Sequence, residues 1–312
     1  MWHGKTVAVI FPTYNEKDSI REAILDYFAT GLVDEIIVVN NNAAPGTSEQ
    51  VAGTGAREII ESRQGYGNAL MCGIDNCNAD LVILSEPDGT FSGHDVIKLL
   101  AYSDDVPVVF GTRTTREFIW QGANMGWFLR WGNWAVAKLT ELLYNTTILT
   151  DMGCTHRLLA REVLQLIRPH LTIGGSHFGP QLLLEVLAHG VPFVEIPLNY
   201  RARVGESSVT GSFWKAWKLG WRMIFLVLEY RLGLQARSRT PWRRRLSAGA
   251  ILRRWDAGGD LGAGQLGDTL NVVEPARFHQ HPALHPHVAI NNGHKQVVDV
   301  VDTHVARDSG GH

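Results

Sequence analysis

The sequence is short of several things, and each shortage excludes a class of protein. Cysteine is scarce: Cys72, Cys77 and Cys154 are too few and too irregularly spaced for a disulfide framework or a zinc site. They read as small buried side chains in a reducing compartment. No run of about 18 uncharged apolar residues occurs, so no transmembrane helix is expected. The N-terminus enters a strand-like segment without a charged-then-apolar leader, so no secretion signal is expected. An excess of one charge is missing too. The 29 basic and 31 acidic residues leave a net charge of -2, which gives no global reason to expect nucleic-acid binding. Apolar residues, by contrast, are plentiful. At 45% apolar and 19% charged, the 312 residues suit one large core or two small ones rather than a disordered chain. A cytoplasmic protein is expected, with any membrane contact peripheral and on the cytoplasmic face.

The first half alternates strand and helix signals. Short apolar runs occupy Val7 to Phe11, Glu35 to Asn40, Leu81 to Ser85 and Val106 to Gly111. Helix-like stretches lie between them, at Asp18 to Thr30, Gly67 to Cys77 and Asp95 to Tyr102. This alternation predicts an α/β fold: a mostly parallel sheet flanked by helices. In such sheets ligands bind beyond the carboxyl ends of the strands. The polar motifs follow the strands accordingly. Pro12-Thr13-Tyr14-Asn15-Glu16 comes after the first, and Asn40-Asn41-Asn42 after the second. Arg63-Gln64-Gly65-Tyr66-Gly67 precedes a helix and is rich in backbone donors, as a phosphate-facing loop would be. Ser85-Glu86-Pro87-Asp88-Gly89-Thr90 places two carboxylates on a tight turn at the end of a buried strand. Buried together they repel and call for a hard cation such as Mg²⁺ or Mn²⁺; in solvent they would be an ordinary acidic turn.

Taken in order, these four motifs resemble family 2 glycosyltransferases, whose GT-A fold carries an acidic metal site. The second half adds to the likeness. Asp151-Met152-Gly153-Cys154-Thr155-His156-Arg157 resembles the acceptor-side segment of the polyprenyl-phosphate sugar transferases, such as the dolichol-phosphate mannose synthases. Glu195-Ile196-Pro197 and Arg201-Ala202-Arg203-Val204-Gly205-Glu206-Ser207-Ser208 resemble their late strand and Arg-x-Gly-x-Ser loop. The resemblance spans roughly residues 5 to 231. It implies an inverting, metal-dependent transferase that takes a sugar from a UDP- or GDP-sugar. Pro12, Tyr14, Glu16 and Asn40 would line the nucleoside pocket, with Gly65 and Gly67 on the donor side. Asp88 would be the main metal ligand, with Glu86 and Thr90 beside it. Arg203 and Ser207 would hold the diphosphate and the acceptor phosphate, with Arg157 also on the acceptor side. Asp151 would face the acceptor, and Asp88, Asp151 and Arg203 form the catalytic set.

The same likeness bears on the acceptor. Relatives that act on hydroxyls carry an acidic general base near a helix start, where this chain reads His177-Phe178-Gly179-Pro180-Gln181 with no carboxylate before Glu185. A hydroxyl must lose a proton to a base, whereas a phosphate is already ionised. A polyprenyl phosphate acceptor is therefore expected, although Asp151 could still serve as a base. A hydroxyl acceptor, or donor binding without transfer, are the competing readings. Several residues depart from the family pattern. Asn40 and Asn41 replace aspartates, Glu86 replaces the first aspartate of the metal motif, His156 replaces a phenylalanine, and Ser208 replaces a lysine.

Two helices carry tryptophan at helical spacing. Trp127, Trp131 and Trp134 are expected to pack on the core. Trp214, Trp217, Trp221, Ile224 and Leu228 lie beside Lys215, Lys218 and Arg222, which makes residues 212–233 a candidate interfacial amphipathic helix. Residues 1–234 are expected to form the catalytic domain. Residues 235–312, basic around Arg237 to Arg254 and then rich in glycine and histidine, are expected to be a flexible tail.

Overall fold

The computed structural model describes residues 1–123, 126–146, 148–205 and 213–233. Ser207 and the expected tail lie outside them. The strands are β1 (Val7–Thr13), β2 (Glu35–Asn40), β3 (Arg57–Ile60), β4 (Leu81–Leu84), β5 (Val108–Thr112), β6 (Arg157–Ala160) and β7 (Val194–Pro197). They form one sheet in the order β3-β2-β1-β4-β6-β5-β7. All pairings are parallel except those of β6, which runs antiparallel between β4 and β5. The helices are α1 (Ile20–Ala29), α2 (Thr47–Val51), α3 (Tyr66–Asp75), α4 (Val96–Ser103), α5 (Trp127–Tyr144), α6 (Arg161–Ile167), α7 (Phe178–Ala188) and α8 (Phe213–Arg231).

The unbroken apolar runs arise because helices cover the central strands on both faces; every residue of β1 is buried. The helices turn one side inward, as Ile20, Ile24 and Tyr27 of α1 do at spacings of four and three. Gly73 sits mid-helix despite the conformational cost of glycine, because a Cβ there would lie 2.4 Å from Ile10 Cγ2 on β1. The expected strand at Val106 begins two residues later, since Pro107 has no N–H to give the ladder; its carbonyl accepts from Ala160 N–H instead. Neither β3 nor β6 stands out among the apolar runs. β3 is a half-exposed edge with Arg57 and Glu58 in it, and β6 has four residues that begin with a charge.

Helix α8 is fastened to the body by a buried polar contact. The Tyr230 hydroxyl donates to Glu185 Oε1 at 2.6 Å and accepts from Gln181 Nε2 at 3.0 Å, both on α7. It also lies along α5, where the Tyr144 hydroxyl donates to the Val227 carbonyl. Met223, Leu226, Val227 and Tyr230 form its inward face.

Candidate active site

The turns beyond β1, β2 and β4 converge on a cavity of about 670 Å³, which continues between α5 and α8. Its acidic wall is built by the turn after β4. Asp88 is wholly buried; its Oδ1 accepts from the backbone N–H of Thr90 at 2.9 Å and from the Thr90 hydroxyl at 2.5 Å. Thr90 thus orients Asp88, giving it both its N–H and its hydroxyl proton. Asp88 Oδ2 has no hydrogen bond, though it lies 3.0 Å from Arg203 Nη1. Glu86 lines the cavity beside it. Burial, and then the charge of Asp88, push the Glu86 carboxyl up to about 8.

Arg203 gathers this wall. Its Nη2 donates to Glu16 Oε1 at 3.0 Å, and its Nη1 lies 3.8 Å from Glu86 Oε2. Burial opposes its charge, but Asp88, Glu86 and Glu16 more than restore it and raise its pKa. Glu16 meanwhile caps its own turn, accepting from the N–H groups of Tyr14 and Asn15 at 2.7 and 2.9 Å. Pro12, Tyr14 and Glu16 all line the cavity.

Asn40 does not. Its amide donates to Glu58 and Ser48 behind the strand end, and Asn41 lines the cavity in its place. Asn41 bridges the turn to the glycine loop, donating to the carbonyls of Glu61 and Arg63 and accepting from Gly65 N–H at 2.7 Å. The glycine loop also departs from expectation. Gly65 lines the cavity, but the N–H groups of Gly67 and Asn68 are spent on the Gly174 carbonyl. A Cβ at Gly67 would lie 2.1 Å from the Ile173 carbonyl oxygen. The glycines here permit close approach of two backbones rather than a phosphate cradle.

On the acceptor side, Asp151 is buried and grips Arg113: Nε to Oδ2 is 2.8 Å and Nη2 to Oδ1 is 3.0 Å. Burial works against its charge, yet Arg113 and the N–H groups of Arg113 and Gly153 hold the carboxyl below its usual range. Both oxygens are occupied, which is poor geometry for a base. Glu195 holds this segment from behind, accepting from Thr150 and from Asp151 N–H. Arg113, absent from the sequence-based set, lines the cavity and lies over the Tyr200 ring. Arg157 is the opposite case. It is buried under Phe110's ring face, and its three nitrogens donate to the carbonyls of Cys154, Gly179 and Met152. It ties β6 to α7 and does not line the cavity.

His156 is buried against Phe91, with ring centroids 4.9 Å apart, and its Nδ1 lies 2.8 Å from Ser85 Oγ. Burial pushes its pKa down from 6.5 to about 4. The ring is neutral when folded but takes a proton near 6.5 when unfolded, so its contribution to stability is present above pH 6.5. It is lost as pH falls through 4, and amounts to about 3 kcal/mol. Thermal melts of His156→Phe, which keeps the stack on Phe91, are expected to lose less stability than wild type between pH 6.5 and 4. Parallel curves would refute this.

Where the cavity leaves the acidic wall its lining turns apolar, with Leu129, Trp131 and Val136 from α5 and Trp217, Trp221 and Ile224 from α8. The expected packing of the α5 stripe is not met: Trp131 is 59% and Trp134 44% exposed. The tryptophans of the α8 stripe are outward as well, with Trp214 74% and Trp217 and Trp221 each 46% exposed, while Ile224 and Leu228 are half-buried. Among the described residues no helix is long and apolar enough to cross a membrane.

The acidic wall suits a hard divalent cation. Asp88 offers a buried oxygen lacking a hydrogen bond, Glu86 a second carboxylate, and the open cavity leaves room for phosphate oxygens and water. Among the described residues no cluster of three or more acidic, histidine or cysteine side chains could hold a metal without such additional ligands.

The family model for glycosyl transferase family 2 matches residues 8–167. The chain belongs to that family. It is 29% identical over 231 residues to a dolichyl-phosphate hexose transferase of Haloferax volcanii, covering 73% of this chain and 96% of that one. It is 25% identical over 229 residues to a low-salt glycan biosynthesis hexosyltransferase of the same organism. That match covers 72% of this chain, which spans about half the length of the relative, 53%. Among solved structures, glucosyl-3-phosphoglycerate synthase of Mycobacterium tuberculosis, in complex with Mn²⁺, UDP and glucosyl-3-phosphoglycerate, aligns with a TM-score of 0.57 at 19% identity. That alignment covers 74% of this chain and 81% of the other. The glycosyltransferase thus has the GT-A fold expected from its motifs.

Proposed function

We propose that this glycosyltransferase moves a sugar from a nucleoside-diphosphate donor to a polyprenyl-type lipid phosphate at a membrane surface, with Mn²⁺ or Mg²⁺ as cofactor. One observation carries the reading: the cavity that begins at Glu86 and Arg203, in front of the buried Asp88, runs on into a tryptophan-lined apolar trough between α5 and α8. A lipid phosphate needs both ends of such a cavity, a cationic seat for its head and an apolar channel for its chain. Arg113 fits the head, since Asp151 holds its guanidinium in place and it faces the cavity. The dolichyl-phosphate hexose transferase relative agrees with this acceptor class.

The donor end follows from the acidic wall. A divalent cation there, when bound, neutralises charge on the departing diphosphate. Asp88 and Glu86 would hold it, Tyr14, Glu16 and Asn41 line the nucleoside side, and Arg203, paired with the acidic cluster in the free enzyme, lies within reach of the donor's phosphates. Acceptor and donor meet in one cavity, so the reaction gains by proximity, and single displacement would invert the anomeric centre. Asp151, buried behind the Arg113 seat, is committed to that arginine, which suits an acceptor that arrives ionised. Exposed Trp214, Trp217, Trp221 and Phe225, flanked by exposed Lys218 and Arg222, would seat α8 on anionic lipid.

A second reading has its own support. The structurally similar synthase is described with phosphoglycerate, a small acceptor, in place of a lipid. Both are tested by release of nucleoside diphosphate from a panel of UDP- and GDP-sugars with Mn²⁺ or Mg²⁺. Each donor is offered a short polyprenyl phosphate, 3-phosphoglycerate or no acceptor. Release stimulated at least tenfold by the polyprenyl phosphate supports the proposal. Stimulation by phosphoglycerate alone would replace it with the second reading.

A further inference from the structure

Arg203 does not wait in the cavity for a phosphate; its guanidinium is already inside the acidic cluster. Nη1 lies 3.0 Å from Asp88 Oδ2 and 3.8 Å from Glu86 Oε2, and Nη2 donates to Glu16 Oε1 at 3.0 Å. Three carboxylates from two separate turns therefore share one cation. Asp88 Oδ2, the oxygen best suited to a metal, is the one nearest that cation and makes no hydrogen bond. A fully buried carboxylate left without a counter-charge is costly, so some cation must stand there in the free enzyme.

We infer that Arg203 is the resident counter-ion of the divalent-cation site: its guanidinium fills the metal's charge position in the donor-free enzyme and leaves when the metal enters as a chelate of the donor diphosphate. The diphosphate part rests on the donor reading above, while the metal part rests on the acidic cluster alone. The physical reason is charge balance. A bare dication has to evict Arg203 from the oxygen it would bind, and the guanidinium is then left with Glu16 alone in a partly buried site. A metal–diphosphate complex brings a cation for Asp88 and Glu86 and, in the same step, an anion for Arg203. Every charge stays paired through the exchange.

The backbone around Arg203 permits this movement. Val204 N–H donates to the Asp88 carbonyl and Arg201 N–H to the Thr90 carbonyl, each at 2.9 Å. These bonds pin the loop to the acidic turn on either side of Arg203. The Arg203 side chain, 22% exposed, faces the cavity and can swing by its own rotamers while the loop stays seated. A cation that is tethered beside the site but not locked in it suits an exchange of this kind.

The test is Mn²⁺ binding to the full chain without nucleotide, followed by electron paramagnetic resonance of free Mn²⁺ and by calorimetry. Wild type is compared with Arg203→Ala, Arg203→Gln and Arg203→Lys, and melting curves check that each is folded. Bare Mn²⁺ is expected to bind the alanine and glutamine variants at least tenfold more tightly than wild type. The lysine variant, which keeps a cation within reach, is expected to stay near wild type. With UDP or GDP present the order inverts, and the alanine and glutamine variants bind the Mn²⁺–nucleotide less tightly than wild type. Unchanged or weaker binding of bare Mn²⁺ by folded alanine and glutamine variants overturns the inference, whatever the nucleotide does. A gain for bare Mn²⁺ with no nucleotide binding by any form would instead sink the donor reading and leave the counter-ion role standing.

Discussion

Asp88→Asn is expected to lower the rate of sugar transfer by about 10²–10³-fold, the scale seen when one preorganised electrostatic contact to a developing charge is removed. The substitution is close to isosteric. An amide oxygen can still accept from Thr90 N–H and Thr90 Oγ1, so the turn keeps its shape. What disappears is the buried charge at Oδ2, on which the cation site depends. Stability should respond in the opposite sense from activity. Asp88 is one of the two causes that push the Glu86 carboxyl up, so its removal relieves a repulsion in the metal-free protein. Arg203 keeps its bond to Glu16. The metal-free melting temperature is therefore expected to hold or rise while turnover collapses. Nucleoside diphosphate release against Mn²⁺ concentration, beside a thermal melt, reads both. Activity within a few-fold of wild type would remove Asp88 from the cation site.

Much of this site could be read from order along the chain, because a parallel sheet delivers the ends of its strands to one edge. Glu16, Glu86 and Asp88 follow strands that read as unbroken apolar runs, and they meet in space as that rule requires. Arg203 joins them from 187 residues beyond Glu16, a contact that no local pattern encodes and that came only through resemblance. The errors fall where geometry turns on a single residue. Asn40 and Asn41 are neighbours at a strand end, and successive side chains there point to opposite sides, so only Asn41 reaches the cavity. Arg157 and Arg113 differ for a related reason. The rule about strand ends points to Arg113, one residue beyond β5, whereas no apolar run marks β6 as a strand. Its antiparallel insertion buries Arg157 inside the sheet. Gly67 has a different lesson: a glycine before a helix can serve backbone packing as readily as anion binding, and only the carbonyls of Ile173 and Gly174 decide.

The pair Asp151–Arg113 carries the second large effect, and it separates two roles that the motif alone leaves open. Asp151→Ala is expected to cost about 3–5 kcal/mol of stability, because it leaves a mostly buried guanidinium without its partner. Arg113→Met should cost a similar amount by stranding the carboxylate, whose side chain is wholly buried. Joining Asp151→Asn to Arg113→Met removes both charges. The double variant should recover much of the stability lost by Arg113→Met alone, a coupling that a double-mutant cycle in thermal melts would measure directly. Function should not follow that recovery. If Arg113 seats the acceptor's phosphate, the double variant stays poor in acceptor KM even as its fold is restored. Asp151→Asn alone provides the deciding contrast. A general base replaced by an amide would lose kcat with acceptor KM little changed. A positioning carboxylate would mainly raise acceptor KM, with kcat at saturating acceptor less affected. The bidentate geometry, with both oxygens held by Arg113 and one of them also by Gly153 N–H, predicts the second pattern.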